Sequence, residues 1–311
     1  MLSILRTVLP EGTVSEQHGQ GPDGNTGRPP SAQVVLARDG RAARLTVTLN
    51  RYSLPVPEQF STCPDSAYHP YSHCTQARLS DGALLTQDRS PVDEKRPSGA
   101  HVLTTLLTHK DGTQVFVSQA PGATGSPTAG EAPLPLTAKD LAAIAGSPAW
   151  KPVLPATPVP RTAPPGSSLV PRMTGRQITD TIADLLPPAL RIAQQDGSLG
   201  FGHLTADDGR GKSLIAVNVQ QWKAGSPALD ELFHSARTLP DGIHAAPSSH
   251  GGAGAVEWTV DTLRPDGLRV VITAVNAPAY QLPASRAEPV LTTRQLQRIA
   301  LDSAWRRAAT D

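Results

Sequence analysis

The sequence predicts an α+β protein made of two tandem copies of one module: a helix, an antiparallel sheet of two β-hairpins, and a closing helix. Three observations lead there. The chain matches itself, most clearly where PLTAKDLAAIAGSPAW (Pro135–Trp150) aligns without gaps to VLTTRQLQRIALDSAW (Val290–Trp305). Asp-Gly pairs at Asp39-Gly40, Asp111-Gly112, Asp208-Gly209 and Asp266-Gly267 are each flanked by strand-like alternation. A length of 311 residues is enough for two domains that each bury a core.

The opening helix of each copy is marked by apolar residues at helical spacing. These are Leu2, Leu5, Val8 and Leu9 in a segment closed by TVLP (Thr7–Pro10), and Ile178, Ile182, Leu185 and Leu186 in one closed by DLLP (Asp184–Pro187). The first hairpins follow from the match of Val34–Tyr52 to His203–Trp222, and the second from that of Val102–Gly122 to Glu257–Ala279. Each copy thus counts about four strands. Thr137 and Thr292 read as N-caps of the closing helices, whose matching apolar positions include Leu141 with Leu296 and Ile144 with Ile299.

The pairs Trp150 with Trp305, Tyr52 with Trp222 and Leu103 with Trp258 stand at equivalent places. Large apolar side chains at equivalent places belong to cores.

The first repeat occupies 1–150 and the second 173–311. Between them, Lys151–Arg172 holds seven prolines in 22 residues without periodicity, the composition of an extended, semi-stiff linker. Residues 13–31 and 121–134 are polar and rich in chain breakers and read as mobile loops. With 31 prolines, 26 glycines and only four each of Trp, Tyr and Phe, the modules should be loop-rich with small cores. In the alignment Met1 falls opposite Ile178, so the chain is expected to begin at or just inside its first element, with any export signal or anchor outside it.

The 28 basic and 27 acidic residues give a formal charge of +1, and no stretch concentrates one sign. That argues against nucleic acid as a partner. No run of about 18 apolar residues is present to span a membrane. MLSILRTVLP (Met1–Pro10) is too short and interrupted for the apolar region of a signal peptide.

The two cysteines, Cys63 and Cys74, lie in TCPDSAYHPYSHC (Thr62–Cys74), an insertion between the hairpins of the first copy that the second copy lacks. In an exported protein the pair reads as a local disulfide. Two other readings stay open: a pair of free thiols, or a zinc site on Cys63, His69, His73 and Cys74. The second has unusual ligand spacing, and Pro70 opposes the helix that would align the histidines. No metal or other cofactor is therefore expected. Tyr68, His69, Tyr71 and His73 make this loop the densest group of amphipathic side chains, a candidate recognition surface. The plainer alternative is a pinned loop that shields a sheet edge.

Catalytic signatures are missing from the sequence. GKS at Gly211–Ser213 lacks the first glycine of a phosphate loop and leads into a strand instead of a helix. Nucleophile-elbow, zinc-helix and dinucleotide-binding patterns do not occur. No catalytic residue is assigned, and an enzyme is not expected.

The Cys-Pro…Cys loop followed by RLSDG (Arg78–Gly82), together with NAPAYQLPASRAEPVLTTRQLQRIALDSAW (Asn276–Trp305), resembles a set of uncharacterised streptomycete envelope proteins. The resemblance covers both copies. It implies a membrane-anchored actinobacterial protein with a tandem exported α+β domain, and it implies no activity. The expectation is a non-catalytic binding or sensory ectodomain on the extracytoplasmic side of the membrane, engaging a peptide, a lipid or another envelope protein. A structural, partner-binding envelope protein is the alternative, and a hydrolase with an unrecognised site stands behind both.

Overall fold

The computed structural model describes residues 1–22, 28–122, 133–159, 169–171, 173–223, 226–252 and 255–308. The chain divides into two compact units: Met1–Pro64 with Tyr71–Thr162, and Asp65–Pro70 with Ala163–Asp311. Both are α+β.

The first unit opens with helix α1 (Leu2–Val8) and builds a seven-stranded antiparallel sheet. Its strands are β1 (Thr13–Gln20), β2 (Ser31–Arg38), β3 (Arg41–Arg51), β4 (Thr75–Arg78), β5 (Leu84–Pro91), β6 (His101–Thr108) and β7 (Thr113–Pro121). Their order is β1-β2-β3-β7-β6-β5-β4. Helix α2 (Ala138–Ala145) then packs on β6 and β7. Alternation along β3 sends Ala43, Leu45, Val47 and Leu49 into a core shared with Leu5, Val115, Val117, Leu141, Ile144 and Trp150.

The second unit starts with a short strand, β8 (Leu169–Pro171). It then repeats the strand order of the first in β9 (Arg191–Ser198), β10 (Phe201–Asp207), β11 (Lys212–Trp222), β12 (Arg237–Thr238), β13 (His244–Gly252), β14 (Ala255–Leu263) and β15 (Leu268–Val275). The order is β12-β13-β14-β15-β11-β10-β9, with β8 beside one end of β11. Helices α3 (Gly175–Leu185), α5 (Thr293–Leu301) and α6 (Ala304–Ala308) cover one face, and α4 (Pro227–Phe233) follows β11. Ile178, Ile182, Ile215, Val217, Val270, Ile272, Leu296 and Trp305 fill this core.

The same local devices recur in both units. Thr137 and Thr292 cap α2 and α5 in capping boxes with Asp140 and Gln295. The indole Nε1–H of Trp150 donates to the Ile144 carbonyl and that of Trp305 to the Ile299 carbonyl, each at 2.7 Å. In the β6–β7 and β14–β15 turns, Gly112 and Gly267 have φ of +83° and +84°. A Cβ at either would sit 2.3 or 2.1 Å from the carbonyl oxygen of Tyr52 or Trp222. Only glycine meets both demands.

Several expectations change. Each repeated sheet has seven strands where about four were expected. Thr13–Gln20, expected as loop, is a strand, and the expected loop at 121–134 lies largely outside the described residues. Within the expected linker, Leu154–Ala156 forms a 3-10 turn with Leu154 buried in the first core, and β8 pairs antiparallel with β11.

Helix α3 sits unusually close to its sheet through three glycines. A Cβ on Gly175 would lie 2.2 Å from the Gly197 carbonyl carbon, and one on Gly202 would lie 2.7 Å from Ile178 Cγ2. The Gly175→Ala variant is therefore expected to lose about 1–3 kcal/mol to overpacking, read as a lower denaturation midpoint at unchanged slope.

Candidate functional site

Cys63 and Cys74 form a disulfide, with S–S 2.02 Å and Cα–Cα 5.7 Å. Both sulfurs are in the bridge, so neither is left as a thiolate metal ligand. The segment entering the loop lies on the face of the first sheet away from its helices. There the Thr86 hydroxyl donates to the Ser61 carbonyl at 2.7 Å, and Gln114 Nε2 donates to the Phe60 carbonyl at 2.6 Å. The segment leaving it continues the β4–β5 ladder, with His73 and Arg89 exchanging backbone hydrogen bonds.

The tip, Asp65–Pro70, belongs to the second unit. It covers the face of β10, β11 and β15 opposite the core, where alternation places His203, Leu214 and Val275. Ala67 is buried among Leu214, Val275 and Ala277, and its carbonyl accepts from the Tyr280 N–H at 2.9 Å. Gln194 Nε2 donates to the Ser66 hydroxyl at 3.0 Å. Tyr68 stacks on Tyr280 with ring centroids 5.0 Å apart and tilts against Phe201 at 5.6 Å.

Beneath this layer His203, only 2% exposed, places Nε2 2.9 Å from Asp65 Oδ1. Burial works against ionising Asp65, but the hydrogen bond and charge of His203 and the Ala67 N–H together outweigh it. They hold the carboxyl below its usual range. Burial pushes the Tyr68 and Tyr280 phenols up, so both remain hydrogen-bond donors at neutral pH.

The four candidate recognition residues divide between the two units. Tyr68 and His69 lie in the second unit, while Tyr71 and His73 lie in the first. Tyr68 is engaged in the aromatic stack, and His69 and His73 are exposed. Asp65, Phe201, His203 and Tyr280 escaped sequence reasoning because they are far apart along the chain and carry no shared motif. Chemically, an Asp–His pair could orient a base; the adjacent Ser66 hydroxyl accepts a hydrogen bond from Gln194 Nε2. The pair links the tip to β10.

Its pH behaviour follows from the lowered carboxyl. A depressed folded pKa gives stability that is complete above the usual value of 3.8 and is lost as pH falls through the folded value. Asp65→Asn should be less stable than the parent by about 1–2 kcal/mol near neutral pH, with the gap closing in acid. Denaturation midpoints measured against pH check this. A gap independent of pH would contradict the lowered carboxyl.

The first unit also holds a cavity of about 470 Å³ on the helix-covered side of its sheet, reached between β5, β6 and the segment entering α2. Arg89, His101, Leu103 and Leu136 are among its walls. His101 is held below its usual value by burial first and then by the positive charge of Arg89, against a backbone hydrogen bond at Gly99.

No protein-family description matches the chain, and no curated protein does. Among solved structures, the crystal structure of MucB in complex with MucA(peri) aligns over 97% of this chain and 96% of its own, at 11% identity and TM-score 0.20. The MucA/MucB complex of Pseudomonas aeruginosa aligns over the same shares at 10% identity and TM-score 0.21. The di-domain ARO/CYC StfQ from the steffimycin biosynthetic pathway covers 99% of this chain and 88% of its own, at 10% identity and TM-score 0.14. TM-scores this low establish neither a shared fold nor a shared partner. Among the described residues, no helix is long and apolar enough to cross a membrane.

Proposed function

We propose that this chain is a non-catalytic, extracytoplasmic binding domain of a cell-envelope protein, engaging a peptide, a lipid or another envelope protein. The observation that carries the reading is the Cys63–Cys74 disulfide, because such bridges persist in oxidising compartments and are rare in the reducing cytosol. Two sheets with the same strand order support descent from one duplicated module, whose two copies offer two binding surfaces. Among the described residues, the Asp65–His203 pair links the loop tip to the sheet, which supports a structural role for it.

A structural, partner-protein-binding role is the second reading, favoured by the outer edges of β1 and β9. Each is an eight-residue strand that, among the described residues, is paired on one side only, with mostly exposed side chains. Edges of this kind accept an added strand from a partner.

Intact mass before and after reduction, on protein exported by a native-like host, tests the compartment. A gain of about 2 Da on reduction, the two hydrogens restored to the thiols, supports the reading. Two free thiols in exported protein would overturn it. Native spraying of the same sample reads any retained small ligand as added mass.

A further inference from the structure

We propose that the cavity of about 470 Å³ in the first unit binds an amphiphilic anion, a molecule with one apolar chain and a phosphate or carboxylate head. The inference does not depend on the compartment or on the disulfide.

Strand register gives the cavity its two characters. Across β5 and β6, Arg89 pairs with Leu103 and Pro91 with His101, so Arg89, Leu103 and His101 share the helix-covered face of the sheet. Arg89 and His101 form the polar end. Leu103 and Leu136 form the other, and both belong to the hydrophobic core, with Leu134 beside them. The floor is held firmly: Gln119 donates from Nε2 to the Leu136 carbonyl and accepts the Leu136 N–H at Oε1, both at 2.9 Å. The volume lies in the usual range for small-molecule sites, which are apolar with a few fixed polar groups.

The charge of the polar end points to an anion. None of the described lining residues is acidic. The nearest carboxylate along the strand, Asp88, faces the other side of the sheet, where the Ser72 and Ser90 hydroxyls donate to it. Asp93, in the turn after β5, takes a hydrogen bond from Arg96 Nε at 2.9 Å. The positive charge of Arg89 already presses on His101, and an anion placed between the two would relieve that repulsion. A guanidinium also suits phosphate and carboxylate oxygens through paired N–H donors. At the matching ladder position of the second unit the pair is Ser249 with Trp258, and the indole packs against that unit's core. The cationic, open version of this position is thus a property of the first unit.

The test uses the full chain and three probes, titrated calorimetrically below any micelle-forming concentration: dodecyl phosphate, inorganic phosphate and the uncharged dodecyl maltoside. Dodecyl phosphate is expected to bind saturably at one site, with the other two at least about tenfold weaker. Arg89→Gln and His101→Gln should each weaken it about tenfold, the size of one lost charge-assisted hydrogen bond. Unfolding midpoints recorded on both variants separate lost binding from lost folding. A second readout is the His101 imidazole proton signal in NMR, identified by its loss in His101→Gln, whose titration midpoint should rise when dodecyl phosphate binds. Equal binding of inorganic phosphate would reduce the site to a simple anion contact, equal binding of the maltoside to an apolar one, and either overturns the proposal. So does saturable binding that leaves the His101 signal unmoved, or no binding at all.

Discussion

Trp305→Ala is expected to destabilise the second unit by about 3–5 kcal/mol, and Trp150→Ala the first by a similar amount. Each indole is buried to within 1% of complete and is among the largest fully buried side chains of the protein. Two losses add. Burial of about 150–250 Å² of aromatic surface disappears, and the cavity left behind is walled by helix and sheet that can collapse only in part. The Nε1–H of each also donates to a carbonyl near the C-terminus of its helix, Ile299 in α5 and Ile144 in α2, beside a backbone donor from Asp302 or Ser147. Phenylalanine separates packing from hydrogen bonding. Trp305→Phe keeps much of the apolar area and loses the indole hydrogen bond to the Ile299 carbonyl, which still accepts from the Asp302 N–H at 3.1 Å, so a loss of about 0.5–1.5 kcal/mol is expected. Calorimetric unfolding of the three variants checks the series. If Trp305→Phe cost as much as Trp305→Ala, the hydrogen bond would outweigh the buried area and the packing account would fail.

Arg264 adds to the same helix end. Its Nη2 donates to the Ala300 carbonyl at 3.2 Å and to the Asp302 carbonyl at 2.9 Å, with the residue 3% exposed. Burial, ahead of repulsion from Arg306, lowers its pKa. The end of α5 is therefore closed by two side chains from different elements, one aromatic and one cationic, a pattern that only the fold brings together.

Much of the architecture was legible because it is written in local chemistry. The hairpins β2–β3, β6–β7, β10–β11 and β14–β15 carry Asp-Gly turns between apolar, strand-like runs, and α2 and α5 carry a threonine cap before an apolar stripe. What escaped reading is the outer part of each sheet. Strand β1 is TVSEQHGQ and six of its eight residues are exposed, so it has no apolar face to alternate, and the Cα register itself shifts between Ser15 and His18. In β13, HAAPSSHGG holds a proline and two glycines, a composition that reads as loop and is tolerated only because β14 supplies the ladder. The site residues were less legible still. Tyr68 was found as an amphipathic loop residue, but its partners Phe201 and Tyr280 come from more than a hundred residues away, and His203 looked like any strand histidine. Arg89 and His101 are meaningful only once strand register places them on one face.

Removing the disulfide is the second large expected effect. In Cys63→Ser/Cys74→Ser the crosslink between residues 11 apart is gone, and chain-entropy loss from opening so short a loop is about 3 kcal/mol. The loss acts first through the unfolded state, which gains freedom, so the folded contacts of the loop need not change at all. Those contacts are nevertheless numerous: Ser61 and Phe60 carbonyls held by Thr86 and Gln114 on one flank, the His73–Arg89 backbone pair on the other, and Asp65, Ser66 and Ala67 each bonded within the second unit. The double variant is therefore expected to fold, with a lower denaturation midpoint and faster proteolysis between Cys63 and Cys74. Reduced parent protein should match it in both respects, since the two differ only by hydroxyl for thiol. A double variant as stable as the oxidised parent would show that the loop is already ordered in the unfolded chain or strained by its bridge, and the disulfide would then mark the compartment without supporting the fold.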